Sequence, residues 1–348
     1  MSAHLSILNP LDVPEWDDWL RDQPGATIFH SSHWARVLSE TYGYKPVYFA
    51  SPPGSRELLL VPLMEVPSRL TGRRGVSLPF TDLCPIFLPL DVAPRDVLNE
   101  ILAYGRKKHW RFVEFRDHPL FGESDVSAGS FYHHFLKLSS YDSAEEYLRS
   151  LRHATRSSLK KAERAAVTVT FTQSEEALES YYRLNCLTRR RHGLPPQPMH
   201  FFRRLHEMLV KPGLGSVAQA CHNGNAIAGA ICLHFGKWAI VKYAAYDYSQ
   251  QSLRPNNLLI WEIVRHYHEQ GYHTLSFGRS DVKNEGLRRF KRGWKLAELP
   301  LRYYKYDFQQ GMPVPVGDRF VEWSTGIMKH MPTPLLKLIG SVMYKHMG

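Results

Sequence analysis

No stretch of the 348-residue chain reaches the ~18 uninterrupted apolar residues that a membrane-spanning helix needs. The opening segment, MSAHLSILNPLDVPEW, lacks the basic region and apolar core of a secretory signal, so the cytoplasm is the expected location. Cysteine is scarce. Cys84, Cys186, Cys221 and Cys232 are scattered without a CxxC pair, which favours thiols acting as small core residues over a disulfide or metal framework. There is no Gly-rich loop ending in Gly-Lys-Ser/Thr, no HExxH and no Cys/His cluster at ligand spacing. His133-His134 and His266-x-His268 make poor ligand sets, so no metal is expected. A GxSxG elbow is also missing, which leaves a hydrolase triad without support.

What is present describes a folded protein: 43% hydrophobic and 12% aromatic residues, with both charge signs dispersed. The length favours two domains of ~150 residues or one large one. A formal net charge of +11 attracts phosphate-bearing partners through its long-range field. Nucleic acid, anionic lipid, nucleotide-linked substrates and coenzyme A all satisfy that charge.

Periodicity predicts helices over 12–22 and 31–42, the second capped by Ser31 or Ser32, strands over 47–50, 58–66 and 76–79, a helix over 94–108, and strands over 111–116 and 132–138. A second set begins near Tyr141 with a helix in which Leu148, Leu151, Thr155, Leu159 and Ala162 recur at steps of three and four. Arg149, Arg152, Arg156, Lys160 and Arg164 recur beside them. This basic stripe is either a solvated face or a contact for phosphates, and few acids neutralise it. Next come a strand over 167–172, helices over 174–191 and 198–210, and a meander over 215–221, 226–235 and 238–245 turned at Asn223-Gly224-Asn225 and Gly236-Lys237. A helix over 254–270 stopped by Gly271, a strand over 273–277, a short helix over 284–290 and a strand over 295–308 complete the set. The order is α+β with mixed, largely antiparallel strands. The tail, 318–348, carries Phe320, Val321, Trp323, Leu335, Leu338 and Val342 with interspersed lysines, split by Pro332 and Pro334 into two short amphipathic helices. These either pack on the body or lie in a membrane surface.

The densest chemistry lies in Ser276-Phe277-Gly278-Arg279-Ser280-Asp281 and in Gly286-Leu287-Arg288-Arg289-Phe290-Lys291-Arg292-Gly293-Trp294. A strand ends at a glycine, a short helix follows, and a basic-aromatic cluster closes at Gly-Trp. Glycine permits close backbone approach, and a buried cation can stabilise a developing oxyanion or hold a phosphate.

These residues, with Asn257-Leu258-Leu259-Ile260-Trp261-Glu262 and Gly271, resemble the C-terminal signature of the FemAB and related acetyltransferase-like (GNAT-type) family. Leu151-Arg152 through Glu163-Arg164 resembles that family's R-x-x-x-K-K-A helix, and Arg190-Arg191-His192-Gly193-Leu194-Pro195 its following loop. The resemblance spans about 140–308; Phe29–Trp34 and Leu78–Asp82 match more loosely. It implies two tandem GNAT-like domains, over 1–140 and 141–310, with the tail at 311–348. It also implies transfer of an acyl or aminoacyl group from acyl-CoA or aminoacyl-tRNA to an amine of a cell-envelope precursor, sugar or peptide, with no tightly bound cofactor. The acceptor would be lipid- or nucleotide-linked; tRNA and the membrane surface are candidate partners, and DNA is not. No counterpart of the coiled-coil arm of some cross-bridge enzymes is present, which weakens the tRNA assignment and draws the chain toward shorter relatives encoded beside exopolysaccharide genes.

By the same resemblance Phe290-Lys291 line the channel, with Lys291 stabilising the oxyanion and Phe290 excluding water. Asp281 or the leaving group would take the proton; Glu262, in mid-helix, suits a structural role better. Arg279, Ser280, Trp294, Arg152, Arg156, Lys160 and Arg191 are the candidate substrate-binding residues. Two competing readings are a nucleic-acid-binding protein using the basic helix and a peripheral membrane or scaffold protein without catalysis.

Overall fold

A computed structural model describes residues 5–51, 57–116, 120–122, 125–315 and 326–347. The chain divides into two compact units. Unit 1 takes the chain up to Tyr132, the segment from Pro300 and the last residues from Val342; unit 2 takes His133–Leu299 and the tail up to Ser341.

In unit 1, β1 (Ser6–Leu8), α1 (Trp16–Arg21) and α2 (Ser32–Tyr42) precede a meander of β2 (Lys45–Ala50), β3 (Leu60–Val66) and β4 (Arg74–Val76). The Ser31 side chain caps α2 by accepting from the Trp34 N–H at 3.2 Å, and Gly43 ends it at φ +71, a left-handed turn that costs glycine nothing. β2, β3 and β4 pair antiparallel; α3 (Pro94–Lys107) then crosses over, and β5 (Phe112–Arg116) joins β4 in parallel. The core gathers around Val61, Leu63, Val97, Ile101 and Val113.

Unit 2 repeats this plan at greater length. It takes the second half of β6 (Gly129–Lys137), then α4 (Ala144–Ser150), α5 (His153–Arg164), β7 (Thr168–Thr172), α6 (Glu175–Arg191) and α7 (Met199–Leu205). The meander β8 (Gly215–His222), β9 (Asn225–Phe235) and β10 (Trp238–Tyr246) is antiparallel; α8 (Pro255–Glu269) crosses over, and β11 (Thr274–Asp281) joins β10 in parallel. After α9 (Glu285–Gly293), β12 (Ala297–Asp307) returns the chain to unit 1, where Tyr303–Asp307 pairs antiparallel with β5. The recurrence of meander, crossover helix and parallel strand in both units is a duplication visible in topology, although no residue-level repeat betrays it.

One helix expected from Tyr141 onward is instead two. Leu151 and Arg152 are extended (ψ 155 and 148), and α5 starts afresh at His153. The cause is tertiary. Tyr147 Oη donates to the Trp294 carbonyl at 2.5 Å and Thr155 Oγ1 to the Gly293 carbonyl at 3.0 Å, and the break between them separates the anchors of α4 and α5.

Of the two tail helices expected, the stretch containing Phe320, Val321 and Trp323 lies outside the described residues. The second is α10 (Thr333–Met347), with Pro334 in its first turn, where a missing N–H costs nothing. Within unit 2, Leu336 on this helix is fully buried, and Gly340 lies so close to the Pro196 carbonyl that a Cβ there would overlap it. Leu335 and Leu338 face outward. No helix among the described residues is long and apolar enough to cross a membrane.

Candidate active site

β10 and β11 are joined over only three residues, Trp238–Ile240 against Thr274–Ser276. Past this point the register of β10 against β9 shifts between Val241 and Tyr243, a bulge, and bulges re-aim a strand. β10 then continues to Tyr246 on β9 alone, while β11 runs on to Asp281. The two parallel strands therefore open toward their C-terminal ends, and the β11-facing backbone of β10 loses its strand partner there. α8, which connects them, begins at the same edge. Arg254 enters it in the left-handed conformation (φ 57), Pro255 occupies its first turn, and no side chain caps its N–H groups. An open strand pair with an uncapped 15-residue helix N-terminus at its mouth offers amide donors to a phosphate and ladder positions to an extended chain.

β11 is shaped by Lys291. Gly278 adopts φ +63, and the Lys291 ammonium, reaching back from α9, donates to the carbonyls of Phe277 (2.8 Å), Gly278 (3.2 Å) and Arg279 (3.2 Å). The side chain is buried, and three carbonyl dipoles replace its hydration. In this conformation the ammonium protons are directed at main chain, so the geometry gives Lys291 the work of holding the kinked end of β11. Phe290, its neighbour, is exposed at the surface of α9.

α9 is itself fixed by Arg288, which is buried and donates to both oxygens of Glu298 (2.8 and 3.3 Å), to Glu285 (3.1 Å) and to the Val282 carbonyl (3.3 Å). Arg292 shares Glu298, whose carboxyl is held below its usual range by the hydrogen bond from Arg288 above all. His134, on β6, lies near Lys291 and is fully buried, and neither ring nitrogen has a hydrogen-bond partner among the described residues. Burial first, and then Lys291, push its pKa down to about 4, so it is neutral at physiological pH. The unfolded chain takes up a proton there near 6.5, the folded chain only near 4. Stability is therefore expected to fall as pH drops through that window, and His134→Gln should flatten the dependence in urea melts.

The other predicted site residues scatter. Asp281 is exposed at the end of β11, and its carboxylate accepts from the Lys283 N–H at 2.8 Å. The Ser280 hydroxyl is buried without a hydrogen-bond partner among the described residues. Arg279 is half-exposed and contributes its carbonyl to Lys291. Trp294 lies in the core at 2% exposure among Tyr147, Leu159 and Leu296, which leaves no indole face for substrate.

Arg152 is the N-cap of α5, not a member of its outer face. That face brings together His153, Arg156, Ser157, Lys160, Lys161 and Arg164 around a surface hollow of about 770 Å³, while Thr155, Leu159 and Ala162 turn inward. Arg191, at the end of α6, stacks 4.7 Å from the ring centres of both Tyr246 and Tyr248, and its Nη1 donates to Tyr246 Oη at 2.9 Å. With Arg190, Thr188 and Lys329 these residues line a cavity of about 300 Å³ at the end of β10. Tyr246 and Tyr248 escaped the sequence reading; their signal is the Tyr-Asp-Tyr that ends the meander. The bulge in β10 left no sequence signal.

Residues 149–292 match the family model described as an acetyltransferase (GNAT) domain, and the matched segment contains α5, the splayed strands, α8 and Lys291. That segment is a GNAT domain. No curated protein matches the chain. Among solved structures the chain is similar to FemX (TM-score 0.64, 12% identity, 85% of this chain and 96% of that one). It is also similar to L-PGS from Bacillus licheniformis (0.55, 15%, 97% and 98%) and to a tandem GNAT protein from the clavulanic acid biosynthesis pathway (0.55, 11%, 87% and 98%). At these identities the likenesses establish the fold. With its GNAT domain, the chain is an acyltransferase of mixed α/β architecture.

Proposed function

We propose that the protein transfers an acyl or aminoacyl group from a phosphate-bearing donor, acyl-CoA or aminoacyl-tRNA, to the amine of a cell-envelope precursor, sugar or peptide. The observation that carries this reading is the opening between β10 and β11 with the uncapped start of α8 at its mouth. Donor phosphates sit at the α8 N-terminus, and the donor arm extends along the freed edge of β10. The amine attacks the thioester or ester carbonyl, the C–N bond forms, and the C–S or C–O bond breaks. The amine proton passes to the departing thiolate or alkoxide, or to Asp281. Positioning dominates the rate, and Lys291 contributes by fixing the wall of the channel through the carbonyls of residues 277–279. The cations around Arg191 suit an acceptor carrying phosphate or carboxylate, as a lipid- or nucleotide-linked acceptor does.

Thermal shift against acyl-CoA, aminoacyl-tRNA and nucleotide-sugar panels tests this, because a ligand that binds only the folded state raises its melting temperature. A rise with one donor class, followed by amide formation seen by mass spectrometry, supports the reading. No shift with any donor removes it.

The outer face of α5 gives a separate expectation. Replacing Arg152, Arg156 and Lys160 together by Gln should weaken a polyphosphate or RNA donor and reduce the salt slope of binding by about 0.7–0.9 for each phosphate that is no longer neutralised. The cap position of Arg152 makes Arg156 and Lys160 the larger contributors. Unchanged affinity and slope would make this face a solvated surface.

A further inference from the structure

Unit 1 has a basic hollow of about 640 Å³ far in sequence from every residue assigned above, lined by Pro67, Ser68, Arg69, Arg73, Lys345 and His346. Two chain segments build it: the loop between β3 and β4, and the last turn of α10. They are tightly joined. Ser68 Oγ accepts from the N–H groups of Leu70 (3.2 Å) and Thr71 (3.0 Å) and meets His346 Nδ1 at 3.0 Å. Arg74, buried beneath, donates to the His346 carbonyl at 2.7 Å and to Thr71 Oγ1. The loop is thus held in one shape before anything binds to it.

That fixed loop presents Leu70, next to Arg69, at 71% exposure, and Val342, one turn before Lys345 on α10, is 58% exposed. Isolated exposed apolar residues need no explanation, but Leu70 and Val342, adjoining a hollow lined by Arg69, Arg73 and Lys345, make an amphipathic face. No acidic side chain lines it among the described residues. Glu65, 3.9 Å from Arg73 Nε, is turned into the core, where it accepts from the Trp110 indole N–H at 2.8 Å.

We infer that this face docks on an anionic phospholipid bilayer, with Arg69, Arg73 and Lys345 on the headgroup phosphates and Leu70 and Val342 in the interface. Both parts of the face are what such a surface attracts. Basic residues near anionic lipid contribute ~1 kcal/mol each, and apolar side chains add their burial at the headgroup boundary. A soluble anion would meet only the cations and would leave the leucine and valine in water. The inference does not depend on which donor the enzyme uses, because it concerns where the protein rests.

Co-sedimentation of the full chain with phosphatidylcholine vesicles, with and without phosphatidylglycerol, tests it. The full chain is expected to pellet with the phosphatidylglycerol vesicles only and to be released by salt. Arg69→Glu with Leu70→Asp and Lys345→Glu should lower the partition coefficient by ~10-fold or more. Leu70→Ser alone, at an exposed position, should lower it severalfold with an unchanged melting temperature, which keeps the test valid if the triple variant folds poorly. The Gln variant of Arg152, Arg156 and Lys160 should pellet as the parent does. Equal pelleting of the Leu70→Ser and parent proteins, equal binding to neutral vesicles, or loss of binding only in the α5 variant would each overturn the inference. So would full release by glycerol phosphate, which would make the hollow a soluble-anion site.

Discussion

Lys291→Met is expected to lower turnover by ~100-fold or more, because a misplacement of ~1 Å in a site that works by positioning costs about that much. The Lys291 ammonium gathers the carbonyls of Phe277, Gly278 and Arg279 and so fixes the left-handed kink at Gly278. Methionine keeps the length and the apolar stem but leaves those carbonyls without the donor, at a cost of about 1–3 kcal/mol for an unsatisfied buried group. β11 then relaxes and the channel wall moves. The pattern of the loss identifies the cause. A positioning lysine lowers kcat while KM for the donor stays within about threefold and the pH profile keeps its shape; a titrating acid or base would remove one limb of the profile. Lys291→Arg, which keeps the charge but not the compact three-donor geometry, should recover only part of the activity. Parental turnover in a folded Lys291→Met protein would remove the residue from the mechanism.

Trp294→Ala is expected to unfold the protein more readily by about 3–5 kcal/mol, the cost of emptying a large aromatic site in a packed core. The indole is among the largest fully buried side chains, and the main-chain carbonyl of Trp294 accepts from Tyr147 Oη. Loss of the ring leaves a cavity between α4, α5 and the start of β12. Urea melts should show the full shift, and the melting temperature should fall by about 2–4 °C per kcal/mol. Tyr147→Phe, which removes one hydrogen bond and keeps the ring, should cost only about 1 kcal/mol. If Trp294→Ala instead kept its stability and raised KM, the residue would belong to substrate recognition and not to the core.

The sequence made the segments legible for local reasons. Ser31 and Gly43 bound α2 by capping chemistry, Gly271 stops α8, and the two turns of the β8–β10 meander follow from Asn-Gly and Gly-Lys. Phe290-Lys291 stand out by their resemblance to the channel Phe-Lys pair of the FemAB-like family, close to Gly278, where the strand is expected to end and through which β11 in fact runs on to Asp281. The work of Lys291 could not be assigned, because a lysine that reaches 12 to 14 residues back to three carbonyls leaves no trace in its own surroundings. The same limit misplaced Trp294. An aromatic beside a charged cluster reads alike whether it faces a ligand or the core, and only its burial in the core of unit 2, with Tyr147 hydrogen-bonded to its main-chain carbonyl, decides.

Composition, periodicity and capping thus determined the α+β class, most element bounds and the basic character of α5, since each depends on neighbours within about one helical turn or one strand pair. Tertiary structure alone decided the rest. The break at Leu151-Arg152 comes from hydrogen bonds to Gly293 and Trp294, more than 130 residues away. The opening of β10 from β11 comes from one bulge whose effect exists only when a third strand is paired alongside. The basic hollow of unit 1 exists because the end of α10 returns to a loop about 270 residues earlier, a closure that no local preference encodes.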